Sequence, residues 1–600
     1  MISLHSTLYE FGPFLLDVVE HRLLRAGRPI HLTPKLFDLL LLLVRENQRI
    51  VRKDELMVNL WPDSFVEENN LTVCISILRR VLGESLSGRQ YIVTVPRVGY
   101  KFIAQVKEVM RSGLKSASTA ERVGPEPDAA QLEVGSDRPE VTSLAVLPFE
   151  NETSALEIEY ISDELTHEII NTLSQLPRLS VVSGSFVFRY KGQDVDARQV
   201  GQELNVEAVL LGRILQYKDG LLISLELVDV LDGAQLWGKR YDCQQSNISD
   251  MQVQISRDIS GQLKLGLSSG HQERLVHRHT ENTKAYQLYL KGRYFWKKYA
   301  FKELKKSLQC FSEALELDPG YSLAYAGLAD SYYRLSRTYL PPREVLPKAK
   351  SAAIRAVEID GTIAEAHLSL SNIRLYYDHD WDGAERECRH ALDLKPTSAI
   401  AHQYLSSFLT FMGRFEEAVT HINLAEELDP LSIQSMVSAS FKFYLMRRYD
   451  LAIKWIERVL EIEPDYVPGR YFLGVIYIQQ GNLREAVEIL QGVRQVEEAS
   501  VFLGYLGYAY ALLGETREAE QILLELKEMA RHKYVTPYCM SIICVGLGDD
   551  EQVIEWLEKL YEERDEHLVT LKVSPEFDVL RDKPRFADLM RRVGFISATS

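Results

Sequence analysis

Apolar and polar positions follow three different patterns in turn along this 600-residue chain. Near the N terminus, Tyr9–Leu16 and His21–Leu32 read as short strands with turns between them. Thr33 and Pro34 supply an N-cap and a proline at the first helical position. Leu36, Phe37, Leu39, Leu40, Leu43 and Val44 then make the next helix a core helix, and Arg52–Trp61 predicts a shorter amphipathic one that ends before Pro62. Leu71, Ile75, Leu78 and Leu82 form one apolar stripe at helical spacing, with Asn69, Val73, Ser76 and Arg80 opposite, and Gly83 is a stop signal. Two β-rich runs, Tyr91–Val95 and Gly99–Ile103, joined by Pro96, Arg97 and Val98, predict a closing hairpin.

From Val141 strands and helices alternate. Strands are expected at Val141–Phe149, Leu179–Val182, Val206–Gln216, Leu221–Val230 and Ala234–Tyr241, and helices at Tyr160–Leu176, Val195–Leu204 and near 248–266. That alternation means an α/β layer fold. From about residue 284 the chain is periodic: ALELDP (314–319), AVEIDG (356–361), ALDLKP (391–396), AEELDP (425–430) and VLEIEP (459–464) recur, mostly 34 residues apart. A 34-residue helix–turn–helix period is the tetratricopeptide (TPR) signature, and stacked repeats create a concave groove suited to a peptide or protein. About eight helix pairs are expected over 284–567, with Ser574–Phe595 inside a C-terminal cap at 568–600. One 42-residue step holds Pro341, Pro342 and Pro347, which predicts one long inter-helix loop.

Charge sharpens this division. The chain carries a formal net charge of −16, yet residues 1–105 carry +2, and residues 71–101 hold five Lys/Arg against one Asp/Glu. Phosphate binding needs such a local basic patch, while an acidic remainder keeps other surfaces off DNA. A polar, basic helix face followed by a small basic hairpin suits the major and minor grooves respectively.

The residues FGPF (11–14), LTPKLFDLL (32–40), RKDEL (52–56), LWPD (60–63), LRRVLG (78–83) and TVPRVGYKF (94–102) resemble the OmpR/PhoB-type winged helix-turn-helix family, most closely its CadC-like branch. The resemblance implies a transcription-factor DNA-binding domain over 6–105, with the helix around 67–82 in the major groove. The candidate contacts are Arg52, Asn69, Asn70, Val73, Ser76, Ile77, Arg79, Arg80, Arg97 and Lys101. Relatives often carry His or Arg where this chain has Cys74, Ser76 and Ile77; Val73 and Ile77 suit thymine methyl groups instead, and Arg79 suits phosphate. In the wing many relatives read VRG where this chain reads VPR, which moves the arginine to Arg97.

Residues 141–268, with LAVLPFEN, QELNVEAVLLGRI and LELVDVLDGAQLWGKRYD, resemble the TolB N-terminal-like domain, except that Glu164 stands where many members have glycine. The expected architecture is therefore multidomain α+β: an N-terminal winged helix, a flexible linker over 106–140, a central α/β TolB-like domain and an all-α TPR solenoid.

Two motifs come close to chemistry and miss it. GAQLWGKR (233–240) copies a phosphate loop but has Arg240 in place of the magnesium-binding Ser/Thr and lacks the following helix. HEIIN (167–171) has Asn171 where a zinc protease needs its second histidine. No catalytic role, cofactor or metal is expected. The six cysteines are scattered without zinc or disulfide spacing, as buried thiols in a reducing cytoplasm would be. No run approaches the ~20 apolar residues of a membrane span, no signal peptide precedes the winged helix, and there is no room for a receiver domain ahead of residue 8, so phosphoaspartate control within this chain is not expected. The expected function is a cytoplasmic regulator binding double-stranded DNA and a partner in the TPR groove, with RNA polymerase and a second copy of the chain on DNA as further candidate partners. The alternatives are a signalling scaffold whose winged helix docks protein and, less favoured, a regulatory enzyme.

Overall fold

The computed structural model describes residues 7–25, 28–30, 32, 34–60, 68–84, 90–95, 98–110, 141–153, 156–174, 176, 179–193, 195–217, 220–244, 248–263, 280–298, 300–496 and 499–595. In the first unit β1 (Thr7–Phe11), β2 (Phe14–Asp17), β3 (Arg22–Arg25) and β4 (Arg28–Ile30) precede α1 (Pro34–Arg45), β5 (Ile50–Arg52), α2 (Lys53–Leu60), α3 (Glu68–Val81), β6 (Ile92–Val95), β7 (Gly99–Phe102) and β8 (Lys107–Met110). One antiparallel sheet has the order β4-β3-β2-β1-β8 and a second has β5-β7-β6. The predicted linker therefore starts late: residues 107–110 pair with β1 and cover its open edge. Residues 111–140 lie outside the described residues.

The apolar stripe of α3 is buried as expected, with Leu71, Ile75, Leu78 and Leu82 all at most 2% exposed. Phe11, Phe14, Tyr91 and Phe102 close the sheet side, their ring centroids 5.2–6.3 Å apart. Gly83 ends α3 at φ +66°, and at Gly99 a Cβ would stand 1.9 Å from the Val51 carbonyl oxygen, so only glycine lets β7 run this close to β5.

In the middle unit β9 (Ser143–Val146), β10 (Glu150–Asn151), α4 (Leu156–Leu173), β11 (Ser180–Val181), α5 (Ala197–Leu204), β12 (Ala208–Tyr217), β13 (Gly220–Asp229), β14 (Gln235–Gln244) and α6 (Ile248–Gln262) follow the predicted alternation. Its mixed sheet runs β11-β9-β12-β13-β14, with β10 added on β12. The phosphate-loop look-alike is the β13–β14 turn, with Gly233 at φ +74°, leading into a strand rather than a helix. His167 lies stacked on Phe188 (centroids 4.1 Å apart), and burial pushes its pKa well below the usual histidine range.

Among the described residues eight helix pairs follow, from Thr283–Trp296 to Asp550–Glu562. The 42-residue step differs from expectation. Its extra residues lengthen the helices Ser322–Thr338 and Pro342–Ile359 rather than the loop between them, and Pro347 lies inside the second. Pro342 starts that helix without loss, and Pro347 costs one backbone bond near the start, where fewest bonds are at stake.

The C-terminal segment also departs from a simple end cap. It crosses the first helices of several repeats and the turns that follow them: Glu566 pairs with Arg337 (2.8 Å), Gly594 O accepts from Trp381 Nε1 at the start of a second helix (3.1 Å), Met412 O accepts from Lys572 (3.1 Å), Asp578 pairs with Arg447 (2.8 Å), and Glu576 accepts from Tyr444 and Tyr505 (2.5 Å each). The chain itself thus fills the inner surface along this stretch.

The middle unit docks on the solenoid through part-buried polar contacts. Glu164, 2% exposed, pairs with Lys297 at 2.6 Å. Ser183 donates to Asp429 at 2.9 Å, and Ser185 donates to the same oxygen.

Candidate nucleic-acid interface

The elements that would meet DNA are α3, the β6–β7 hairpin and the start of α2. Arg79 fixes the angle between the first two. Its guanidinium donates to Thr94 Oγ1 at 2.8 Å and to the Ile92 carbonyl at 3.3 Å, both on β6, and pairs with Glu84 at 3.7 Å. Glu84 in turn accepts from the backbone N–H groups of Tyr91 and Ile92 at 2.8 and 2.6 Å. Helix end and wing strand are thereby held together by one arginine–carboxylate unit. Burial dominates this carboxyl and raises its pKa to about 7, against the opposing pull of Arg79 and the two N–H groups.

Arg52 is largely exposed and lies 3.6 Å from Asp54, so its charge is available at the edge of the domain. Lys101 is half-buried on β7, between Ile50 of β5 and Val93 of β6. Asn69, Asn70, Val73, Ser76 and Arg80 lie on α3 as expected, but their side chains fall outside the described residues, as do Pro96 and Arg97 of the wing. Ile77 departs from expectation. It is 1% exposed and shares a flank of α3 with the equally buried Cys74, so it is not a free apolar contact for a thymine methyl. On that side α5 of the middle unit packs against both α1 and α3.

The opposite flank of α3 is covered as well. The Tyr449–Ile462 helix of the solenoid packs against α3. Ile75 and Arg79 line a small cavity together with Leu431, Met436, Arg458, Glu461 and Ile462. The Glu461 carboxylate faces Arg79, Lys53 and Arg458 and lies against the Thr94 hydroxyl; burial raises its pKa and outweighs those cations. Sequence reasoning missed this residue, because nothing in VLEIEP distinguishes Glu461 from any other solvated repeat glutamate.

Comparison with known proteins follows the same division. Residues 27–102 match the family described as transcriptional regulatory protein, C terminal, and residues 444–500 match a tetratricopeptide repeat family. Residues 140–258, the stretch expected to resemble TolB, match the HilA/YgeH-like transcriptional regulator second domain. The chain is 24% identical to the transcriptional regulator HilA of Salmonella typhi over 461 residues, 76% of each chain. It is 34% identical to the transcriptional activator CadC of Escherichia coli over 96 residues, 16% of this chain and 19% of that one. A putative adenylate cyclase 3 of Rhizobium meliloti is 29% identical over 250 residues, 41% of this chain and 42% of its own length. Among solved structures, the DNA-binding domain of E. coli CadC is 32% identical, with 17% of this chain and 97% of that one covered and a TM-score of 0.16.

Proposed function

We propose that this chain, in which an OmpR/PhoB-type winged helix, a HilA-like second domain and tetratricopeptide repeats follow one another, is a DNA-binding transcriptional regulator without catalytic activity of its own. The outer ridge of α3, with Asn69, Asn70, Val73, Ser76 and Arg80, enters the major groove, and Arg97 at the hairpin tip enters the minor groove. Arg52, Arg79 and Lys101 meet phosphates between them. The middle and repeat domains receive the signal, through a protein partner of the repeats.

The observation that carries this reading is the Arg79–Glu84 unit, which locks α3 to β6 at a fixed angle. A helix for one groove and a wing for the next must keep a set separation to engage one duplex. The test is sequencing of genomic DNA fragments retained by the full chain, with Arg80→Ala and Arg97→Ala as comparisons. Wild type should enrich a defined motif, and each lost phosphate contact should flatten the log–log salt dependence of binding by roughly 0.9. Retention of no DNA at ~50 mM salt, where such contacts are strong, would leave the protein-docking scaffold as the better reading.

A further inference from the structure

We infer that the DNA-contact surface of the winged domain is also an intramolecular docking surface, and that the solenoid's Tyr449–Ile462 helix occupies it here with the Glu461 carboxylate standing in for a DNA phosphate. The inference rests on the DNA-binding reading above and adds to it the means by which the solenoid controls access.

Three observations place the helix there. Glu461 faces cations or donors from three separate elements of the winged domain: Arg79 of α3, Lys53 at the start of α2 and Thr94 of β6. Helix and wing straddle a phosphate backbone when they occupy adjacent grooves, and an anion between α3 and β6 sits where that backbone passes. Arg79 itself is shut in, its side chain only 14% exposed. Arg458, one turn before Glu461, is held by Glu426 at 2.5 Å, so the solenoid presents this helix in a fixed position.

The contact is also built to part. Glu461 Oε1 is buried and has no hydrogen-bond partner within the protein, and Arg458 adds a second guanidinium close to Arg79. The cavity lined by Ile75, Arg79, Met436 and Glu461 leaves the two surfaces incompletely packed. An unpaired buried carboxylate oxygen and facing like charges both weaken an interface. DNA has many phosphates to offer Arg79 and Lys53, the solenoid one imperfectly paired carboxylate. Closed chains cannot present Arg79 to a duplex, so the apparent affinity of the full chain is its intrinsic affinity scaled by the open fraction.

The experiment compares full-length wild type, Glu461→Ala and Ile462→Asp, neither of which adds a cation, for binding to random-sequence duplex DNA at ~100 mM salt, where phosphate contacts still register. Both substitutions lie on the solenoid, outside the DNA surface, and thermal melts check folding; either folded variant decides the outcome. Apparent Kd should fall roughly 10- to 100-fold, as expected when a closed form populated at about 90–99% is released. Equal affinity of a folded variant and wild type overturns the docking inference and leaves the DNA-binding reading intact. Failure of wild type and folded variants alike to bind DNA overturns the DNA-binding reading itself, and the docking inference with it.

Discussion

Where the middle domain meets the solenoid, polar groups reach across and pair: Glu164 has Lys297 at 2.6 Å, and Asp429 accepts from Ser183 and Ser185, while Tyr286 Oη and Arg293 Nε of the solenoid helix Thr283–Trp296 stay without a hydrogen-bond partner. Where the winged domain meets the same solenoid, Glu461 keeps a buried oxygen without a partner, two guanidiniums lie close together, and a cavity remains. The first junction is held by an ion pair and hydrogen bonds that run directly from one domain to the other, the kind of pairing that lets polar groups be buried. The second has the chemistry of a contact that competes with another ligand. The difference separates a fixed frame, middle domain on solenoid, from a domain held against that frame.

The largest effect should come from breaking the ion pair of the first junction. Lys297→Met strands the Glu164 carboxylate, which is 2% exposed, and should cost about 3 kcal/mol, because removing one partner leaves an uncompensated buried charge. Urea denaturation followed by circular dichroism reads this as a lowered midpoint. An unchanged midpoint would mean that the two junctions do not differ as described.

Next in size is a pH effect at the hinge of the reading unit. Glu84 has its pKa raised to about 7 by burial, with Arg79 and Arg458 opposing. The folded form thus holds the proton more tightly than the unfolded chain. Its favourable contribution is full below the ordinary carboxylate range and is lost as pH rises through about 7. Glu84→Gln keeps the acceptor for Tyr91 and Ile92 and removes the titration. The variant should gain on wild type by about 2 kcal/mol between pH 5 and pH 8, read from melts across that range. A pH-independent difference would contradict the buried state of this carboxyl.

Smaller and local is the effect of the outer ridge. Val73→Ala should cost about 1–3 kcal/mol at one base pair and leave the melting temperature unchanged. Selection from random DNA measures the first and a thermal melt the second. A sharp drop in melting temperature would put Val73 in the core with Leu71 and Ile75. Last, Glu461→Lys should lower stability by no more than about 1.4–2.7 kcal/mol, the closing free energy that a 10- to 100-fold release of DNA affinity corresponds to. A loss as large as that of Lys297→Met would make the winged junction as tight as the other.

Much of this frame was legible in the sequence for identifiable reasons. The Leu71–Ile75–Leu78–Leu82 stripe, the β13–β14 turn at Asp232–Gly233 and the 34-residue repeat are local patterns, and local patterns survive folding. The misses concern contacts between distant parts of the chain. Ile77 is polar-side by its place on a helical wheel, yet it is buried where α3 meets its neighbours. The Pro341–Pro342 pair reads as a loop but starts a helix, because proline at the first turn is tolerated. Residues 107–110 have linker composition but meet the open edge of β1. Glu164, visible only as a departure from the TolB pattern, turns out to hold the solenoid through Lys297. The winged family can be read from its motifs; the partner of its reading surface cannot, since it lies in a helix nearly 400 residues away.

The most direct test of this account is the distance between the winged domain and the solenoid as DNA binds. The six native cysteines are buried, so fluorophores on Val58→Cys and Val496→Cys, at exposed positions of α2 and of the Leu483–Val496 helix, report that distance alone. Energy transfer in the full chain should fall saturably with added duplex, at the same midpoint as binding measured by anisotropy, and should start low in Glu461→Lys. DNA binding at full affinity with energy transfer unchanged would contradict the claim that the duplex and the solenoid compete for one surface.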